Sequence, residues 1–98
     1  MSGQTMNTTS FEAFGQQARA DGFDEVLLRE WEPDTVVPEH THPFDAYAVV
    51  VQGEMWLSCG TNTRHFTKGG TFTVSRGTLH SERYGSQGAS LWAARRNA

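Results

Sequence analysis

Cysteine is almost absent. Cys59 stands alone in 98 residues, which excludes an internal disulfide and every zinc arrangement built on several thiolates. Any metal must therefore be held by histidine and carboxylate. Long apolar runs are missing too: no stretch approaches the roughly 18 consecutive apolar residues of a membrane helix. The polar start from Met1 to Ser10 also lacks the apolar segment of a secretory leader. Nor is there a basic stripe, because eight Lys and Arg are scattered among eleven Asp and Glu for a net charge of −3. Nothing in that pattern is arranged to neutralise phosphates. These absences predict a soluble, cytoplasmic protein with no membrane and no nucleic-acid partner, acting on a small molecule. The length suits one compact unit and is too short for a catalytic domain plus a regulatory one.

What is present reads as β structure after one short helix. Residues 1–8 are small and polar and predict a flexible lead-in. Thr9 followed by Glu12 fits a capping box, and Phe11, Phe14 and Ala18 share a helical face before Asp21-Gly22 stops the turn. From Phe23 the texture changes to short runs rich in Val, Leu, Thr, Trp and Phe, broken by Gly, Pro, Asn and Asp. That pattern predicts an all-β sandwich or barrel, with strands near 25–31, 36–40, 47–52, 54–59, 63–67, 71–75, 80–84 and 89–95. Gly53, Gly60, Gly69-Gly70, Gly77 and Gly85 to Gly88 fall between them as expected turns.

The feature that carries chemistry is His40-Thr41-His42, with a lone His80 downstream. Residues two apart on a strand project to the same face, so two imidazoles at this spacing can grip one ion while a third arrives from another strand. Three neutral imidazoles suit Fe, Zn, Ni, Cu or Mn, and they leave the ion's charge uncompensated, which favours an anionic substrate. Asp45 is a candidate fourth ligand only if Pro43 bends the chain enough to alter strand parity. Glu82 shares parity with His80 and is the candidate general base; Tyr84 is a candidate hydrogen-bond donor to substrate. His65 lies among polar residues and is expected to face solvent, and Cys59 is expected to be a spectator thiol.

These residues resemble the two motifs of the cupins. His40, His42 and Gly53 match the first motif's His-x-His and glycine; Gly69, Gly77 and His80 match the second, with Ser75 where proline is usual. The position of the family's metal-binding glutamate is Ala46, with Asp45 one residue before it. The resemblance implies a double-stranded β-helix, or jelly-roll barrel, formed as one domain by residues 9–98. It implies His40, His42 and His80 as ligands of a divalent transition-metal ion. A three-histidine site with open positions also occurs in some cupin dioxygenases, including the thiol dioxygenases. Oxygenase, isomerase and lyase chemistry on a small organic anion are all implied, as is a non-catalytic binding cupin with metal or an empty cavity. Cupins commonly pair, so a homodimer is expected, with strand 25–31, apolar on both faces, as the pairing element.

Overall fold

The computed structural model describes residues 10–98. It contains α1 (Phe11–Ala20), β1 (Glu25–Trp31), β2 (Val36–His40), β3 (Asp45–Cys59), β4 (Asn62–Phe66), β5 (Thr71–Val74) and β6 (His80–Arg96). The lead-in expected at 1–8 and the cap expected at Thr9 lie outside the described residues. Ser10 is the N-cap, its hydroxyl accepting from the Ala13 amide at 3.0 Å. Glu12 in the first turn and Arg19 in the last suit the helix dipole. Phe14 and Ala18 then bury one helix face against Val49 and Ala94.

Two long strands organise everything else. β3 and β6 run antiparallel and pair from Asp45↔Arg96 to Ser58↔Ser81. β1 adds to the C-terminal half of β6 and β5 to the N-terminal half of β3, giving one layer. β2 adds to the start of β6 and β4 to the end of β3, giving the second. The layers face each other across a core that draws Ala48, Phe72 and Leu91 from the first and Met55, Leu57 and Tyr84 from the second. This is the jelly-roll arrangement implied by the sequence, although its hydrogen bonding leaves the sheet open rather than closed into a barrel.

The turns expected at Gly53 and Gly85 to Gly88 are bends inside continuous strands. Register shifts fall between Val50 and Gln52 and between Gly53 and Met55. Gly53 and Gly88 take φ values of 81° and 72°, the left-handed region that glycine enters without steric cost. The bulge re-phases the alternation. Inward residues of β3 are Ala48 and Val50 before the bend, then Met55 and Leu57 after it. Strands 47–52 and 54–59 are therefore one strand serving two layers, as are 80–84 and 89–95.

Candidate metal centre

The last residue of β2, His40, is paired with the first residue of β6, His80, after an irregularity in the ladder. His42 follows in the segment leading into β3. One ring nitrogen from each of His40, His42 and His80 lies within 4.8 Å of the others. The ring centroids are 4.3 Å apart for His40 and His80, 4.8 Å for His42 and His80, and 5.8 Å for His40 and His42. The Phe44 ring stacks on His42 at 4.1 Å, nearly parallel.

Hydrogen bonding fixes which nitrogen each ring offers. Nδ1 of His40 meets the Pro38 carbonyl at 2.9 Å, Nδ1 of His42 meets that of Phe44 at 3.2 Å, and Nδ1 of His80 meets that of Thr78 at 2.8 Å. A carbonyl oxygen only accepts, so each Nδ1 donates and each neutral ring presents a bare Nε2 lone pair. His80 is 1% exposed, and its Nε2 has no hydrogen-bond partner. Burial lowers the His42 pKa, and nearby His80 and His40 lower it further; the Phe44 carbonyl and Glu82 act in the opposite sense. A buried, unpartnered ring nitrogen flanked by two more imidazoles matches the donor set of a divalent transition-metal ion.

Glu82 borders this cluster. Its Oε2 is 3.4 Å from His80 Nε2, close enough for an electrostatic interaction but not a hydrogen bond. Its Oε1 accepts from the Tyr84 hydroxyl at 2.5 Å. Burial, then the adjacent Glu82 charge and hydrogen bond, raise the Tyr84 pKa far above its ordinary value, so this hydroxyl keeps its proton and donates a hydrogen bond to Glu82. The neighbours of the Glu82 carboxylate are thus Tyr84 and His80.

Asp45 is directed elsewhere. Its Oδ1 accepts from the Arg76 amide at 2.8 Å, and its Oδ2 lies 3.6 Å from Arg96 Nη1. The opposite parity on β3 belongs to Ala46, which lines the cavity but carries no donor. The bend at Pro43 and Phe44 leaves the carboxylate on Arg76 and Arg96, outside the histidine cluster. His65 also stays apart, on β4, paired with Glu54 at 2.8 Å and stacked on Trp56. Tyr47 stacks against Phe14 beneath the helix, away from the cluster.

Beside the histidines is a cavity of about 190 Å³, walled largely by apolar side chains such as Ala48, Phe72, Val74 and Leu91. Two guanidiniums border it that sequence reasoning missed, Arg29 and Arg95. Arg29 shares strand parity with Leu27 and Trp31, and that alternation was the available signal. Apolar residues on both faces of strand 25–31 masked it.

Similar folds occur among solved structures at low sequence identity. KdgF from Halomonas sp. aligns with a TM-score of 0.65 and 18% identity over 71% of this chain and 64% of its own. The cupin domain of Schizosaccharomyces pombe Cnp3 aligns at 0.66 and 20% identity, over 74% and 55%. Bacillus subtilis oxalate decarboxylase, whose Mn(II) centres have been studied by EPR, aligns at 0.64 and 16% identity, over 71% and 20%. The chain thus spans less than two thirds of each of these proteins, and identities this low speak for the cupin fold alone. No curated protein matches by sequence. A profile of the AraC-like ligand binding domain matches residues 22–93, nearly all of the β structure and all three clustered histidines, and the chain belongs to that family.

Proposed function

We propose that the chain binds one divalent transition-metal ion through His40, His42 and His80 and acts on a small organic anion as a metal-dependent enzyme of oxygenase, isomerase or lyase type. The observation that carries this reading is the orientation of three clustered imidazoles by three backbone carbonyls that accept from Nδ1, which leaves the Nε2 of each neutral ring as its free donor atom. When bound, such an ion supplies Lewis acidity or activates oxygen. The residues around it do the rest. Glu82 holds or moves a proton at Oε2, while Tyr84 fixes its orientation through Oε1. Ala46 and Ala48 leave room above the cluster, and the largely apolar wall favours an apolar ligand body there. Asp45, held by Arg76 and Arg96, is left out of this ligand set.

A second reading is a non-catalytic module that binds its ligand with metal or in the cavity alone. The match to a ligand-binding domain favours it, as does the presence of one carboxylate beside the cluster rather than an acid–base pair. In either case a homodimer through β1 suits the fold, because among the described residues that strand pairs only with β6 and Leu28 is 54% exposed.

Elemental analysis of protein purified without chelator, with His42→Ala alongside, tests the metal. A near-stoichiometric redox-active metal that disappears in the variant supports the enzyme and directs screening to oxygen consumption. Zinc points to non-redox chemistry or binding. No metal in either protein, even after incubation with each candidate ion, overturns the proposal.

A further inference from the structure

Among the described residues Arg29 has no counter-charge. It sits half-buried on β1 opposite Leu91 of β6 and borders the cavity. Its guanidinium lies 4.9 Å from the centroid of the Trp31 ring. Trp31 stacks on Tyr84 at 4.6 Å and 11°, so Arg29, Trp31 and Tyr84 form one column along the wall. Among the described residues no carboxylate pairs with Arg29, and no side-chain hydrogen bond engages it. The other cavity guanidinium differs: Arg95 has Glu25 at 3.8 Å and the Phe44 ring beneath it. Glu82, which also lines the cavity, meets Tyr84 through Oε1 and faces His80 through Oε2, and it forms no ion pair with Arg29.

A guanidinium stays charged at every relevant pH, and withdrawing it from water is costly without an anion. Its planar fork matches a carboxylate with two parallel hydrogen bonds. The apolar side chains named above offer nothing to the many hydroxyls of a neutral sugar. The volume of about 190 Å³ exceeds only modestly the roughly 150 Å³ of an apolar cavity that holds benzene. We infer that the cavity takes a small monocarboxylic acid with a compact apolar body, its carboxylate gripped by Arg29 and its far end presented to the histidine cluster. This rests on the cavity being the ligand site of the proposed function, and it names the class of ligand.

The test is calorimetric titration of benzoate and isobutyrate against their neutral amides, on chelator-treated and on metal-loaded protein. Wild type, Arg29→Met, Arg29→Lys and Arg83→Met are compared, with the metal content of each sample measured. Arg83 is the control because its guanidinium lies over Trp56 on the outer face, 3.9 Å from the ring centroid. Wild type and Arg83→Met should prefer an acid to its amide by at least about tenfold, the worth of one charge-assisted contact. Arg29→Met should lose that preference, and Arg29→Lys, which keeps charge without the fork, should fall between. Equal binding of acid and amide by wild type, no binding of either acid, or an undiminished preference in Arg29→Met overturns the inference. If the chain takes up no metal, the metal proposal fails, and an acid preference in the chelator-treated protein still supports the role of Arg29. A protein that loads metal but binds acids equally well with and without Arg29 overturns the inference and leaves the metal proposal standing.

Discussion

Two glycines of similar conformation should respond very differently to alanine. Gly53 has φ of 81° and Gly60 of 62°, and placing an L-residue in this region costs roughly 1–2 kcal/mol at either position. At Gly60, in the turn between β3 and β4, an added Cβ would meet nothing within 4 Å, so the cost stops there. At Gly53 the same atom would run into the Gly88 carbonyl oxygen and lie 2.8 Å from the Ala89 Cα. Those are backbone atoms of β6, which cannot swing aside as a side chain can, and relieving such overpacking adds about 1–3 kcal/mol. Gly53→Ala should therefore cost roughly 2–5 kcal/mol against roughly 1–2 for Gly60→Ala. Urea unfolding followed by tryptophan fluorescence measures both. Since the clustered histidines all lie on β2, at the start of β6 or in the link to β3, the Gly53→Ala molecules that remain folded should still take up metal. Equal costs for the two substitutions would refute the account of β3 as one strand bent against β6.

Three further outcomes are expected. Ala46→Glu places a carboxylate at the family's glutamate position on the cavity wall, and it should tighten metal binding at least about tenfold in competition with a chromophoric chelator; unchanged affinity would mean that Ala46 does not face the ion. Tyr84→Phe keeps the stack on Trp31 but leaves Glu82 Oε1 unpartnered, which should cost about 1–3 kcal/mol in chemical denaturation; a neutral result would deny that this hydrogen bond matters. Metal at about 100 times its Kd should stabilise the chain by about 2.7 kcal/mol, or roughly 10–20 °C in Tm for a domain of this size. Chelator should reverse the shift, and His80→Ala should abolish it.

The sequence was most readable where structure is local. β1 and β2 have the expected limits, and β4 and β5 differ by a residue at one end or both. Alternation and flanking turn residues were enough for them. The long strands were misread because a glycine with positive φ looks the same in a turn and in a bulge. What separates the two cases is a partner strand some thirty residues away, which no local window contains. The His-x-His spacing and the lone His80 foretold which rings meet, although His42 lies beyond the end of β2 and strand parity alone does not place it. Asp45 was left open because its orientation depends on the Arg76 amide and on Arg96, both distant in sequence. Arg29 was overlooked for another reason: hydrophobicity on both faces of β1 hid the alternation that sends a guanidinium inward.

Each imidazole that meets at the cluster is oriented by a carbonyl only two residues away: Pro38 for His40, Phe44 for His42 and Thr78 for His80. The tautomer of every ring is thus written into its own tripeptide and owes nothing to the distant core. Mutations elsewhere in the sandwich can spread the rings apart or draw them together, changing which ion fits and how tightly. They leave untouched the pattern of protons that makes the rings receptive to a cation. A lineage built on this chain could drift widely in its core and walls, exchanging metals and ligands as it went, while those three short segments kept the capacity to bind.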